Sequence, residues 1–286
     1  MGFIDFLKMI TAVVALSIFI YAVFIEPYKL DIRKIDIHIP ELPELFDGLT
    51  ICHLTDLHIA YYGKMEAGLH EALMNIDADL CVITGDIVRK SAGVQALPSI
   101  FEGFNPSLGI YAVLGNGERK LRISKSEMQA DLAQWGIQLL CNNHNTIFRE
   151  GKNLHIIGVD DPYSEVDDLD AAMSGVSRDE FKILLAHSPD ILMKIVDHPV
   201  NLILAGHTHG GQIRLPFIGP LWLHCRYPLG FSDGYFGPDA LISMSGPANP
   251  GLHMYISRGL GGSGIRARLL CPPEIALITL RRKFQS

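Results

Sequence analysis

Eight short apolar runs, alternating with amphipathic segments, constrain the fold of this chain more than any other feature. Continuous runs of this length are typical of strands buried on both faces, and recurrence every three or four residues is typical of helices. The predicted strands cover residues 49–54, 80–84, 110–114, 154–159, 182–186, 202–205, 254–257 and 275–280. The predicted helices cover residues 65–76, 125–135 and 189–196, the last with Ser188 as N-cap and Pro189 at its first position. The alternation predicts a layered α/β domain.

Five of the predicted strands are followed directly by polar residues that can bind a metal ion. In an open α/β sheet the carboxyl ends of strands converge on the ligand crevice, so residues far apart in sequence are expected to meet there. Taken singly, an Asp after a strand is usually a turn former and a lone His is usually structural. Five such sets in order favour a metal site. The candidate ligands are Asp56, His58, Asp86, Asn116, His187, His207 and His209.

The composition of this set favours two ions rather than one. Two carboxylates, four imidazoles and one amide form a nitrogen and oxygen shell suited to Mn²⁺, Fe or Zn²⁺. Seven ligands exceed what one ion takes from a protein while leaving room for water. Asp86, on a short Gly-Asp turn, is expected to bridge two ions roughly 3.5–4 Å apart, the spacing that suits phosphoryl chemistry. A water activated by the ions would attack phosphorus in line, so no side-chain nucleophile is expected.

The N-terminal segment is predicted to anchor the chain in a membrane. Residues 9–25 carry no charge and, extended by Phe6 and Leu7, can cross a hydrocarbon core at about 1.5 Å per residue. A cleaved signal peptide is the alternative, but the segment has no small-x-small cleavage pattern. We therefore expect a single-pass protein of the cell membrane.

Charges beside the anchor give a weak signal of orientation. Lys29, Arg33 and Lys34 follow the anchor, whereas Lys8 and the amino terminus precede it, and the positive-inside rule then places the catalytic domain on the cytoplasmic side. The expected organisation is an anchor over residues 1–28, a Pro-containing linker over 29–48 and one domain over 49–286.

Charge and cysteine content exclude some functions. The formal net charge is −7, and no basic stripe is interleaved with aromatic residues, so nucleic acid is not an expected partner. The five cysteines form no CxxC pair, and Cys52 and Cys81 lie inside apolar runs. We interpret them as small core residues rather than as disulfide or metal sites.

The segment 213–250 is rich in glycine, proline and aromatic residues and shows little periodicity. A stretch of this length within a compact domain is usually a functional loop, although it could equally be a surface excursion. His224 and Arg226 lie in it and could reach a substrate phosphate.

The order of the motifs HLTDLH, TGD, LGN, LAHSP and AGHTHGGQ resembles that of the calcineurin-like metallophosphoesterases. With its GHTHGGQ block and its N-terminal anchor, the chain resembles the bacterial membrane-associated branch of that superfamily. The resemblance implies a four-layer α/β/β/α sandwich. It also implies two ligand sets: Asp56, His58, Asp86 and His209 for one ion, and Asp86, Asn116, His187 and His207 for the other.

One motif departs from the family pattern. Most members have Gly-Asn-His-Asp or Gly-Asn-His-Glu, in which the His steadies the phosphate and protonates the leaving oxygen. Here Gly117 stands in place of that His, so the family's general acid is missing. Arg119 or Arg122 could neutralise phosphate charge instead, although each could also be an ordinary solvated arginine.

The missing acid bears on the expected substrate. General-acid assistance matters least when the leaving group is already a weak base such as a phosphate. We therefore expect hydrolysis of a phosphodiester or diphosphate, with a lipid-linked or nucleotide-diphospho substrate such as UDP-2,3-diacylglucosamine. A broad phosphomonoesterase and a non-catalytic metal-binding homologue are the alternatives.

Overall fold

The computed structural model describes residues 2–121, 124–226, 229–245 and 249–283. Its strands are β1 (Asp31–Ile39), β2 (Thr50–Leu54), β3 (Leu80–Thr84), β4 (Ile110–Val113), β5 (Ile137–Leu139), β6 (Asn143–Arg149), β7 (Lys152–Gly158), β8 (Phe181–Leu185), β9 (Leu202–Ala205), β10 (Arg214–Leu215), β11 (Gly219–Pro220), β12 (Gly234–Phe236), β13 (His253–Ile256) and β14 (Glu274–Arg282). Its α-helices are α1 (Phe3–Ile20), α2 (Lys64–Met74), α3 (Leu97–Phe101), α4 (Asn116–Arg119), α5 (Lys125–Ala133), α6 (Leu169–Ala172) and α7 (Pro238–Ser245).

Twelve of these strands form two six-stranded sheets. The first has the order β1-β14-β2-β3-β4-β5, and the second has the order β12-β13-β9-β8-β7-β6. Strands β2 to β5 run parallel, as do β7, β8, β9 and β13. The carboxyl ends of the central strands therefore share one edge within each sheet.

The two sheets pack face to face, and helices cover their outer faces. Val82 of β3 and Ile183 of β8 belong to one buried cluster between the sheets. Cys81, the neighbour of Val82, points to the opposite face and packs in a cluster with Leu69 of α2, as the two-residue period of a strand requires. Ile191 belongs to a third cluster on the outer face of the second sheet. The predicted four-layer α/β/β/α sandwich is confirmed.

The structure differs from the predicted linker over residues 29–48. Strand β1 occupies much of this segment and pairs in parallel with β14, at the edge of the first sheet. Ile37 and Ile39 are fully buried in the cluster between the sheets. These contacts make β1 an integral part of the fold rather than a spacer.

Two other predicted segments also differ. Residues 189–196 form two 3₁₀ segments, Pro189–Met193 and Ile195–Asp197, rather than one α-helix. The segment 213–250 contains the β10–β11 hairpin, α7, and strand β12, which pairs with β13 at the edge of the second sheet. The region predicted to be an irregular loop therefore contributes to the sandwich.

The N-terminal helical segment is long and apolar enough to cross a membrane. It spans Phe3–Tyr28 with a mean hydropathy of 2.3, and α1 has no buried residue. Its last turns contact the domain: the Ala22 carbonyl accepts a hydrogen bond from the Arg268 amide at 2.9 Å, and Glu26 Oε1 accepts one from the Cys271 amide at 2.5 Å. The end of the helix is therefore fixed to the sandwich.

Candidate metal centre

The loops that follow β2, β3, β4, β8 and β9 meet at one edge of the sandwich. The Asp56 amide donates to the Gly85 carbonyl at 3.0 Å, and the Gly206 amide donates to the His187 carbonyl at 2.9 Å, so adjacent loops are hydrogen-bonded to each other. Each of the seven predicted ligands comes within 3.5 Å of another member of the set. All seven predicted ligands therefore converge at this edge, as their positions after the strands predicted.

On one side of this cluster, four predicted ligands face each other. His58 Nε2 lies 3.4 Å from His209 Nε2 and 3.4 Å from Asp86 Oδ2. Asp56 Oδ1 lies 3.4 Å from His209 Nε2. The ligand atoms of Asp56, His58 and His209 are therefore close enough together to hold one metal ion.

On the other side, the second carboxylate oxygen of Asp86 faces a similar group. Asp86 Oδ1 lies 3.5 Å from His187 Nε2, and that nitrogen is 3.0 Å from both Asn116 Oδ1 and His207 Nδ1. The Asp86 carboxylate therefore lies between the two groups and presents one oxygen to each.

Hydrogen bonding fixes which nitrogen of His187 faces the group. His187 Nδ1 lies 2.8 Å from the Thr84 carbonyl, which can only accept, so Nδ1 carries a proton and Nε2 is the nitrogen that faces Asn116. Asp56 Oδ1, which faces His209 Nε2, is buried without a hydrogen-bond partner among the described residues. Buried polar atoms rarely lack a partner, and this donor set suits divalent transition-metal ions.

The charges of the buried groups also suit a cation. Burial lowers the pKa of His58 and His209 and lowers that of His207 to about 3, so these rings are neutral at pH 7 and can act as ligands. Burial opposes ionisation of Asp86, but His187 and His58 outweigh it and lower the pKa of that carboxyl.

The pKa of His187 indicates that the surrounding carboxylates stabilise a positive charge at this position. Burial alone would lower its pKa, but the charges of Asp86, Asp56 and Asp161 raise the pKa to about 9. A proton on His187 therefore balances the carboxylates, and a bound divalent ion would supply that charge and displace the proton.

Backbone strain is concentrated at the same residues. Five of the seven predicted ligands have φ between 48° and 69°, the left-handed region that side chains other than glycine rarely adopt: Asp56, His58, Asp86, His207 and His209. Such strain clusters at functional sites, where the surrounding structure holds it in place. Gly85 has φ 86°, and a Cβ there would lie 2.5 Å from His187 Nδ1, so glycine is required for this approach.

Glu118 holds two of the ligand loops together. Its Oε2 accepts hydrogen bonds from the amides of Asp86 and Gly115 at 3.0 and 2.8 Å, and its Oε1 accepts one from Val88 at 3.0 Å. Its side chain is buried and touches the loops rather than the ligand atoms. Glu118 is therefore a positioning residue, which the sequence analysis did not assign.

Gly117 lies directly beside the Asp86 carboxylate. Its amide donates to Asp86 Oδ1 at 2.5 Å, and a Cβ at this position would lie 2.6 Å from the same oxygen. In this backbone conformation, any side chain at position 117 would displace Asp86. The glycine thus supplies an amide donor to Asp86 and leaves no room for an acid.

The predicted substrate residues have different surroundings. The His224 ring lies 6.5 Å from the His207 ring, at the border of the cluster. Arg119 Nη1 lies 3.8 Å from Asp160 Oδ2, and Arg226 Nη2 lies 2.6 Å from Glu165 Oε1, so each arginine faces an acid. Arg122 lies outside the described residues.

Tyr163 also lies at the cluster, although the sequence analysis did not select it. Its ring centroid is 4.6 Å from that of His207, and its amide donates to Asp161 Oδ1 at 3.1 Å. Asp160 and Asp161 lie two and three residues after the end of β7, so the strand-end rule applied to a sixth strand would have indicated this loop.

Known proteins resemble this chain over most of its length. The sequence profile of the calcineurin-like phosphoesterase family matches residues 49–211. The uncharacterized metallophosphoesterase YkuE of Bacillus subtilis is 32% identical over 91% of this chain and 89% of its own.

Two relatives have names that state an activity. The UDP-2,3-diacylglucosamine pyrophosphatase LpxG of Chlamydia muridarum is 24% identical over 94% of this chain and 95% of its own. The phosphodiesterase YaeI of Escherichia coli is 27% identical over 80% of this chain and 81% of its own. The predicted resemblance is confirmed, and this chain belongs to the calcineurin-like phosphoesterase family as a metallophosphoesterase enzyme.

Proposed function

We propose that this chain hydrolyses phosphodiester or diphosphate bonds with the help of two divalent ions. The observation that carries the proposal is the position of Asp86, whose two oxygens lie 3.4 Å from His58 Nε2 and 3.5 Å from His187 Nε2. A bridging carboxylate between two mixed nitrogen and oxygen sets is the arrangement that holds a pair of ions in phosphoryl-transfer enzymes.

The proposed ligands divide between the two sides of Asp86. Asp56, His58 and His209 would hold one ion, and Asn116, His187 and His207 would hold the other, with Asp86 shared. Two ions bound there would supply an acidified water and neutralise the negative charge of the phosphoryl oxygens. Mn²⁺, Fe and Zn²⁺ all suit this donor set.

The surroundings of Gly117 favour substrates with good leaving groups. Hydrolysis breaks one P–O bond and leaves the departing oxygen with an electron pair that needs a proton or a stable anion. No side chain at position 117 can give that proton, and a Cβ there would meet Asp86. A phosphate or an aryloxide leaves as a stable anion, whereas an alkoxide does not.

The substrate is proposed to be lipid-linked or a nucleotide diphosphate. The N-terminal helix suggests a single-pass membrane protein, which would place the centre near lipid substrates. LpxG relatives act on UDP-2,3-diacylglucosamine according to their names, and this substrate combines a diphosphate with a lipid. His224, beside His207, and Arg119 are the proposed phosphate contacts.

We predict that hydrolysis depends steeply on the leaving group. The full chain, in detergent micelles with Mn²⁺, should cleave bis(p-nitrophenyl) phosphate and a UDP-linked diphosphate at least about 100-fold faster than glycerol phosphate, because only the last needs a proton donor. Rates are compared as kcat/KM from phosphate, UMP and nitrophenolate release.

Two outcomes would change the proposal. Equal rates on glycerol phosphate and the diester would identify a broad phosphomonoesterase instead. An enzyme active on the diester that leaves UDP-2,3-diacylglucosamine intact in mixed micelles would refute the lipid substrate alone.

A further inference from the structure

The β10–β11 hairpin presents an uncharged apolar surface beside the metal centre. Five of the eight residues from 215 to 222 are large, apolar and exposed: Leu215, Phe217, Ile218, Leu221 and Trp222. Residues 215–222, which we call the apolar hairpin, include no charged residue. An exposed apolar patch of this kind indicates a surface that contacts a partner or a membrane.

The tip of the apolar hairpin is held in an unusual conformation. Phe217 is fully exposed and has φ 65°, a region that a bulky side chain rarely adopts and that glycine or asparagine would occupy with less strain. An exposed aromatic side chain in a strained turn does not stabilise the fold, because its ring packs against no other part of the chain that the structure describes. Its apolar surface is therefore expected to be buried outside this chain.

One short segment joins the apolar hairpin to the end of the N-terminal helix. The amide of Arg268 donates to the Ala22 carbonyl at 2.9 Å. The next residue, Leu269, donates to the Gln212 carbonyl and accepts from the Arg214 amide, both at 2.9 Å. Consecutive residues thus contact the helix end and the hairpin stem, which places the two close together on the surface.

Tyrosine side chains of the helix end lie beside Lys29 and beside Lys64, the first residue of α2, as is typical of a membrane boundary. Lys29 Nζ lies 5.0 Å from the Tyr21 ring centroid, and Lys64 Nζ lies 4.7 Å from that of Tyr28. Tyrosines and lysines are enriched where a membrane helix meets the headgroups. Ala22 follows Tyr21 and therefore lies near the predicted headgroup level. The segment that hydrogen-bonds to Ala22 and to the hairpin stem lies near the same level.

We propose that the apolar hairpin is a second membrane contact, inserted at the headgroup–acyl boundary of the bilayer that holds α1. Apolar side chains at this depth enter the membrane by about 5–10 Å. Trp222 lies 6.1 Å from the His224 ring, which in turn lies 6.5 Å from His207. The insertion would therefore hold the metal centre against the membrane surface, whichever phosphate ester is cleaved there.

The two tryptophans of this chain provide a direct test. Trp222 lies in the apolar hairpin, and Trp135 lies beyond the end of α5 as a partly exposed control. The full-length variants Trp135→Phe and Trp222→Phe, each with one remaining tryptophan, are reconstituted in phosphatidylcholine and phosphatidylglycerol nanodiscs with or without bromine near the top of the acyl chains. We expect bromine to quench Trp222 emission about twofold or more and to leave Trp135 unchanged.

Two results would overturn the proposal. Trp222 quenched no more than Trp135 would show that the hairpin stays in water, and blue-shifted Trp222 emission without quenching would show that protein rather than lipid covers it.

A double substitution tests the role of the hairpin tip. Phe217→Asn with Ile218→Ser, in the Trp135→Phe background, should bring Trp222 quenching down towards the Trp135 level. Hydrolysis of bis(p-nitrophenyl) phosphate should persist within about twofold, because neither residue contacts the metal ligands. Unchanged quenching would count against the tip as the inserted part. Activity on the soluble diester reports on the metal centre and is independent of the insertion.

Discussion

The substitution Asp86→Asn is expected to lower kcat/KM for bis(p-nitrophenyl) phosphate roughly 10³-fold, about 4 kcal/mol of transition-state stabilisation. The Gly117 amide donates to Asp86 Oδ1, so the asparagine oxygen is expected to stay there. Its NH₂ group would then replace Oδ2, 3.4 Å from His58 Nε2, and would point a donor where a metal ligand is needed. The ion on the His58 side should be lost first.

This prediction has a control on the protein surface. Asp36 is exposed and lies 3.9 Å from Arg281 Nε, so Asp36→Asn removes the same charge far from the strand ends that carry the ligands. Its activity should stay within about twofold, as for most exposed ion pairs. If Asp86→Asn retains activity within tenfold of the unsubstituted chain, while remaining folded, the bridging role of Asp86 is wrong.

The second large effect is expected from Arg268→Met. The Arg268 side chain is fully buried, and its guanidinium donates to the carbonyls of Arg258, Gly259, Gly261 and Cys271. Removing these donors leaves buried acceptors without their charged partner, so the free energy of unfolding should fall by about 3–5 kcal/mol. Thermal unfolding in matched nanodiscs measures the loss.

Arg268→Met should also weaken metal binding. Arg268 holds the segment 258–261 in place. In this segment the Leu260 amide donates to the Thr55 carbonyl at 3.1 Å, and the Gly261 amide donates to the Asp56 carbonyl at 2.6 Å. The segment therefore supports the first ligand loop. Arg281→Met is the control, because Arg281 is exposed and its loss should change stability by no more than about 0.5 kcal/mol. Equal unfolding temperatures for the two variants would contradict the role given to Arg268.

The convergence of the seven predicted ligands could be predicted from sequence because the rule behind it is local. Asp56, Asp86 and His207 each follow an apolar run within two residues, and the carboxyl ends of parallel strands share an edge whatever the rest of the fold. The four-layer arrangement was predicted from the family resemblance, because apolar runs alone do not determine how many sheets form.

The features that were missed depend on contacts between distant segments. In strand β1, Ile35, Ile37 and Ile39 alternate with Asp36 and His38, a pattern of period two. The charged residues before them and the prolines after them resemble those of a linker. Strand β12 is only three residues long and exists through its pairing with β13. The clash that a Cβ at Gly117 would make with Asp86 follows from the approach of two loops 31 residues apart, which no local pattern records.

The most direct test of the central claim is to titrate metal back into the chelator-treated full chain while following bis(p-nitrophenyl) phosphate hydrolysis. Two-metal catalysis predicts that activity is absent without metal, rises with added Mn²⁺ until two ions are bound per chain, and does not rise in Asp86→Asn. A folded chain that binds Mn²⁺ but hydrolyses nothing, or one whose activity survives chelation, would contradict the account.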